Sequence, residues 1–417
     1  MCSFVSCYHD LMNEQLYIVL RLIWNIRLGL SLVGIGCCVG AAGAMNEPCM
    51  EKYLTADDAM GAHVIGDVVY IAVGGAGLEI VDMSNPAAPV LLGMYGTTNG
   101  TMDVHVEGGI AYLADGLNGL RCLDVSDPAQ PVLLGTYDTA YFAQQVIVRD
   151  GIAYVADGFL SGLQVIDVSD PSAPALLGTH DTVGVARSMR LVGGLVYIAD
   201  GHGGLHIIDV SDPASPVLVT TIENLGGAWT DCVEVWDGYA YVFESGGVGI
   251  KVFDVVDPAA PVMVGLYDMP SGAYANDMVH DGQHLFLAGD FPGRITRLRV
   301  LSPSNLSHSF DFEMRGDPQQ IDLIGGRLFV SVTDYGTADL DPGEWDGESG
   351  LVALDHMYVC QSCEGDMTGD GSLDFFDIAE FLYAFGSRDP AADFTGDGAF
   401  DFFDVSAFLT AFTAGCP

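Results

Sequence analysis

Between Gly151 and Thr182 the chain reads GIAYVADGFLSGLQVIDVSDPSAPALLGTHDT. Three short apolar runs, IAYVA, LQVIDV and ALLGT, alternate with the polar stretches DGFLSG and SDPSAP. Runs of this length and β-branched content predict strands, and the Gly, Asp, Ser and Pro between them predict tight turns. A fourth strand from the stretch leading into the next unit completes a four-stranded antiparallel sheet. One such sheet cannot bury both faces alone, so copies must stack. The aromatic of the second strand recurs at Tyr70, Tyr112, Tyr154, Tyr197, Tyr241, Phe286 and Phe329, at intervals of 42, 42, 43, 44, 45 and 43 residues. Four-stranded units repeating every ~40–45 residues predict a β-propeller, and the seven copies predict seven blades.

The hydrophobic pattern also predicts how the ring closes. The seventh copy runs through RLFVSVTDYG and GLVALD and breaks off at His356, short of an outer strand. EKYLTADD, from Glu51 to Asp58, has the pattern of the outer strand LLGTYDT at Leu133 to Thr139. The first strand should therefore complete the last blade, removing two exposed sheet edges at once.

Composition adds a class and an address. The 417 residues suffice for a large core plus a small module, and the 53 glycines are taken up by hairpin turns. A net charge of −42, from 56 acidic against 14 basic residues, would repel phosphate backbones. Nucleic acid is excluded as a partner; cations or basic surfaces fit better. Residues 1–44 have the form of a signal peptide. Arg21 and Arg27 precede the apolar LGLSLVGIGCCVGAAGA, which ends on an A-x-A site at Ala42 and Ala44. The mature protein is expected outside the cell or on its surface, and monomeric. Among its cysteines, Cys49 and Cys360 flank the repeats and Cys363 and Cys416 flank the C-terminal module, so disulfides are expected within each pair. Cys122 and Cys232 fall in strands and read as inert core thiols.

The third strands and the turns after them carry a resemblance. LEIVDMSNPAAPVLLG from Leu78, LRCLDVSDPAQPVLLG from Leu120, LQVIDVSDPSAPALLG from Leu163, LHIIDVSDPASPVLV from Leu205 and IKVFDVVDPAAPVMVG from Ile250 resemble LVIVD repeats. That resemblance implies a bacterial surface or secreted propeller over residues 45–356. The sixth copy, ITRLRVLSPSNLSHS from Ile295, and the seventh depart from it.

Within the ring, the A-D-G turns place Asp115, Asp157 and Asp200 at one register in three blades, with Asp290 and Asp334 nearby in two more. Asp103, Gln145, Ser188, Asp231, Asp277 and Gln320 stand at the entries to the innermost strands. Both sets should lie at one end of the channel. Asp103, Asp115, Asp157, Asp200 and Asp277 are thus candidates for an acidic rim that binds a cation or polar ligand. The competing reading is that Asp-Gly and Asp-Pro simply build turns. The segment from Thr333 to Gly350 adds Asp334, Asp339, Asp341, Glu344, Asp346 and Glu348 beside Tyr335 and Trp345, a candidate Ca²⁺ or sugar contact, or a solvated insertion. The scattered histidines have no zincin spacing, and no nucleophile elbow or phosphate-binding glycine loop occurs, so no catalytic residue is assigned.

Residues 357–417 carry the strongest site signal. DMTGDGSLDFFD from Asp366 and DFTGDGAFDFFD from Asp393 each match a 12-residue calcium loop followed by a helix. The ligands would be Asp366, Thr368, Asp370, the carbonyl of Ser372, Asp374 and Asp377 in the first. In the second they would be Asp393, Thr395, Asp397, the carbonyl of Ala399, Asp401 and Asp404. Four carboxylates per loop repel one another without a cation, so folding of this module should be coupled to two Ca²⁺ ions. Ile378, Phe381, Leu382 and Phe385, like Val405, Phe408, Leu409 and Phe412, keep helical spacing and should pack the two copies together.

Loop, helix, loop, helix with Asp at position 12 is similar to a type I dockerin. The resemblance implies a Ca²⁺-dependent module that plugs into a cohesin-like or other surface receptor. Phe375, Phe376, Phe402 and Phe403 replace the small hydroxyl residues of cellulosomal dockerins and read as core or as a docking patch. The ending AGCP resembles a variant that closes on a Gly-Cys pair and serves as an anchoring tail. The expected protein is a secreted or surface scaffold, with a propeller that binds a glycan or protein ligand and a tail that docks it. The alternative is a glycoside hydrolase or accessory subunit of a polysaccharide-degrading complex.

Overall fold

A computed structural model of the chain describes residues 50–85, 88–224, 228–246, 248–269, 272–289, 294–302, 305–313, 317–324, 327–333 and 349–355, together with positions 378, 381, 382, 385, 392 and 404–409. The described residues form seven four-stranded antiparallel sheets, spanning 59–95, 103–137, 145–180, 188–222, 229–267, 275–313 and 317–355. The last of these takes its fourth strand from the start of the chain. Met50–Leu54 pairs antiparallel with Gly350–Asp355, Met50 facing Leu354 and Leu54 facing Gly350.

The first strand of each sheet lies against the first strand of the next: Ala59–Ile65, Asp103–Glu107, Gln145–Arg149, Ser188–Val192, Trp229–Trp236, Ala275–His280 and Asp317–Ile324. The seventh lies against the first, so these strands surround a central axis. The fold is an all-β propeller. The repeated aromatic sits mid-way along each second strand, buried, with its backbone opposite an inner-strand residue: Tyr70 opposite His63, Tyr154 opposite Ile147, Tyr197 opposite Arg190. Apolar clusters then fill the gaps between successive sheets. One joins Tyr70, Leu78 and Ile80 of the first sheet to Val104, Leu113 and Leu123 of the second.

The recurring D-x-S-D-P sequence is turn chemistry. The Asp167 carboxylate accepts the Ser169 N–H at 2.9 Å, and Asp170 accepts the Ser172 N–H at 3.0 Å, giving two Asx turns in succession. Asp124 with Ser126, and Asp127 with Ala129, repeat the pair one sheet earlier. The outer strands of the first five sheets are each bulged at one place, as between the partners of Cys122 and Leu123 or of Val165 and Ile166. Next to the bulge stands a glycine that the following turn covers. A Cβ on Gly135 would lie 2.5 Å from the Pro171 carbonyl oxygen and 2.9 Å from Pro174, and one on Gly93 would lie 2.2 Å from the Pro128 oxygen. The Pro-rich turn of one sheet thus locks onto the outer strand of the sheet before it. The fourth sheet carries Thr220 at this register.

Cys122 and Cys232 are buried free thiols, and burial pushes Cys122 up to about 12. The other mature cysteines, Cys49, Cys360, Cys363 and Cys416, lie outside the described residues, as do residues 1–44 and 334–348. Among the described residues no helix is long and apolar enough to cross a membrane.

Candidate functional site

The entries to the inner strands converge as their spacing predicts. A cavity of ≈ 100 Å³ opens at one end of the axis, with Met60, Asp103, Gln145, Ser188, Asp277 and Gln320 each contributed by a different sheet. Asp231 is not among the residues around it. Several of these side chains face a second partner besides the cavity. The Val146 N–H donates to Oδ2 of Asp103 at 2.9 Å, and Oδ1 accepts the side-chain amide of Gln320 at 3.2 Å. Oε1 of Gln320 accepts the Ala62 N–H, Oε1 of Gln145 the Met189 N–H, and Oδ2 of Asp277 the Ile321 N–H. The bonds to backbone N–H groups each run from one inner strand to the next, and the Gln320–Asp103 bond reaches past the first strand to the second, so the polar ring ties sheets together. Burial raises Asp103 to about 7, although the Val146, Val104 and Gln320 donors favour its charge.

The turn aspartates differ from a solvent-facing acidic rim. Asp115, Asp157 and Asp200 are fully buried. Asp115 accepts hydrogen bonds from Thr101 Oγ1 (2.9 Å) and Asn118 Nδ2 (2.7 Å) and pairs with the Arg121 guanidinium. Asp157 accepts the Tyr141 N–H at 2.9 Å, and Asp200 accepts Thr182 Oγ1 at 2.6 Å and the Gly184 N–H at 2.7 Å. Their backbone N–H groups bond to Gly119, Gly162 and Gly204, closing the turn. The reason is geometric: a short Asp side chain in this turn reaches back to the segment entering the neighbouring strand and satisfies its orphan donors.

Two residues beyond Ser188 on the same inner strand, Arg190 centres a charged network that the sequence reading missed. Arg190 Nε is 2.9 Å from Glu234 Oε2, and its Nη2 is 2.7 Å from Asp277 Oδ1 and donates to the Met278 carbonyl. Burial opposes the charge of Arg190, but Asp277 and Glu234 more than offset it and its pKa rises. The clue available in the sequence was register: Arg190 and Glu234 each stand opposite a repeated second-strand aromatic. At the same level, the His63 and His105 rings lie 4.6 Å apart.

Around the cavity end, the second-to-third-strand turn of one sheet bridges to the entry segment of the next. Gly116 pairs with Ala143, Gly158 with Ala186, Phe159 with Val185 and Gly201 with Thr230. These pinned loops hold apolar side chains in solvent: Leu117 is 66% exposed, Tyr141 49%, Phe159 46% and Val183 76%. The Tyr141 and Phe159 rings are 6.2 Å apart. Sequence reasoning missed this patch because its residues fall in turns that otherwise read as polar punctuation.

Of the calcium-loop residues, Asp366, Thr368, Asp370, Ser372, Asp374, Asp377, Asp393, Thr395, Asp397, Ala399 and Asp401 lie outside the described residues, with Phe375, Phe376, Phe402 and Phe403. Asp404 is described, fully buried at the head of the helical stretch 404–409. The backbone is also helical at 378, 381, 382 and 385, and the Phe381 and Phe408 rings stack with centroids 4.0 Å apart.

Comparison with known proteins bears on the ring. Residues 56–97, 100–139, 142–182, 183–223 and 227–269 match the LVIVD repeat. No curated protein matches the chain. Among solved structures, the computationally designed Ika8 protein superposes with a TM-score of 0.54 at 9% identity, over 72% of this chain and 97% of its own. The Myceliophteria thermophila Cps50 (Swd1) β-propeller domain gives 0.54 at 10% identity, covering 73% and 99%. Saccharomyces cerevisiae Sqt1 gives 0.52 at 9%, covering 73% and 97%. At such identities the likeness concerns fold alone. The sheet order, the repeat matches and these superpositions agree: the chain carries LVIVD repeats and folds as a β-propeller.

Proposed function

We propose that the protein is a secreted or surface-displayed scaffold, its seven-bladed ring a binding platform and its tail a dockerin-like, Ca²⁺-dependent attachment. The observation that carries the platform is the patch of Leu117, Tyr141, Phe159 and Val183, exposed on loops pinned between sheets. Solvent-facing apolar side chains gathered on one rigid surface mark a contact site, and aromatic anchors concentrate binding energy. The rival reading, a glycoside hydrolase or accessory subunit, would call on the carboxylates at the channel end. Asp103 and Asp277 instead hold backbone N–H groups of adjoining sheets. For the tail, the burial of Asp404 at a helix start fits the twelfth position of a calcium loop, and the Phe381–Phe408 stack fits the pairing of two loop–helix copies. Two Ca²⁺ ions would there neutralise the crowded carboxylates, and a cohesin-like receptor would be the partner.

The test is a screen of the full chain against glycan and cell-surface protein arrays, with and without Ca²⁺, beside the double variant Tyr141→Ala/Phe159→Ala. The variant should lose about tenfold or more in affinity for whatever the platform binds while melting as wild type does. Unchanged binding by the variant would remove the platform. Calorimetry of the full chain should count two bound Ca²⁺ ions; fewer would remove the two-loop tail.

A further inference from the structure

The cavity at the channel end has hydrogen-bonding capacity that the fold does not use. Ser188 is 4% exposed, lines the cavity and has no hydrogen-bond partner for its Oγ among the described residues. A buried hydroxyl left unpaired is unfavourable by about 1–3 kcal/mol, so such groups are rare unless something else occupies them. Around it the lining is rich in side-chain amides. Asn276 donates its Nδ2 to the Pro318 carbonyl, and Gln319 donates its Nε2 to Asp317 and Thr333, which leaves the amide oxygens of both for the cavity. Gln145 uses its oxygen on Met189 and keeps its NH₂ group. Gln144 is joined to the fold through its backbone, its N–H bonding to Ala156.

The set is mixed: donors and acceptors share one small space. A ligand hydroxyl is both, so hydroxyls satisfy such a lining where a carboxylate, phosphate or ammonium would leave half of it unmatched. The charged groups of the lining carry both signs. An anion would sit beside Asp103 and Asp277, and a cation would meet Arg187, whose guanidinium already lies 3.9 Å from Asp231. The ≈ 100 Å³ cavity has room for several water-sized groups, enough for the hydroxyl-bearing edge of one sugar ring.

We propose that the channel-end cavity, built on Ser188, Gln144, Gln145, Asn276 and Gln319, binds one edge of a neutral saccharide. The inference deepens the platform reading by naming a ligand class, but its residues are separate from the exposed aromatic patch. The test is titration of the full chain with glucose, galactose, mannose and N-acetylglucosamine, with galacturonate and glucosamine as charged counterparts, by calorimetry or saturation-transfer NMR. At least one neutral sugar should saturate the protein, and each charged counterpart should bind less tightly. Ser188→Ala and Gln144→Ala should each weaken that sugar by about tenfold. Because the Ser188 hydroxyl has no partner to lose, Ser188→Ala should melt no lower than wild type, which a merely structural serine would not do. Failure of every neutral sugar, preference for a charged one, or unchanged affinity in both variants overturns the saccharide cavity. Tyr141→Ala/Phe159→Ala should leave sugar affinity intact, so loss of the platform and loss of the cavity read out separately.

Discussion

His63 and His105 face each other near the axis, and both are half-buried. Burial first, then the neighbouring charges of His63 and Arg149, lowers His105 from 6.5 to about 4, and burial lowers His63 as well. Between those two values the unfolded chain binds a proton that the folded chain does not. Stability is therefore complete above pH 6.5 and falls as the pH drops towards 4. Asp103, raised to about 7, acts in the opposite sense, because there the folded state keeps the proton. A difference measurement separates them: in urea melts at pH 7 and pH 5, wild type should lose about 1–2 kcal/mol more than His105→Asn. Equal losses would show that the imidazole is not the sensitive group. At this scale the repeat was legible where one residue type does one local job, as in the Asp167 and Asp170 turns. It was not legible for Asp103, Gln145 and Gln320, whose partners lie 43, 44 and 258 residues away and are set by ring geometry.

The lock between sheets belongs to the element scale. The turn that contains Pro171 and Pro174 covers Gly135 on the preceding outer strand, and there is no room for a side chain beneath it. Gly135→Val must push that turn away or bend the strand, an overpacking strain of about 1–3 kcal/mol. Denaturant melts should show the midpoint fall by that amount with an unchanged slope; a midpoint equal to wild type would mean the turn yields freely. The strands themselves were legible because apolar runs bounded by Gly and Pro alternate at a fixed period. The bulge beside each glycine was not, since pairing two residues against one leaves no mark in the hydrophobic pattern.

For the whole molecule, closure rests on the strand Met50–Leu54 and on the contacts that follow it. Tyr53 Oη donates to Glu79 Oε2 at 2.9 Å, the Ala56 N–H donates to Glu79 Oε1 at 3.0 Å, and Ser349 Oγ donates to Asp58 at 2.7 Å. Glu79, 2% exposed on the first sheet, is thus the clasp that holds the last sheet's outer strand. Glu79→Ala strands two donors and should destabilise the ring by about 1–3 kcal/mol, with amide exchange rising first at residues 50–54. Exchange that rises uniformly would place the weak point elsewhere. This seam was legible because EKYLTADD repeats the outer-strand pattern out of turn. The seam also sets an order of events on the ribosome. Residues 50–54 emerge before any sheet is complete, yet their partners at 350–355 are among the last of the ring to be made. Until then the earliest strand waits without a mate and the nascent arc keeps two open edges, the stage at which a second chain could pair where this one should.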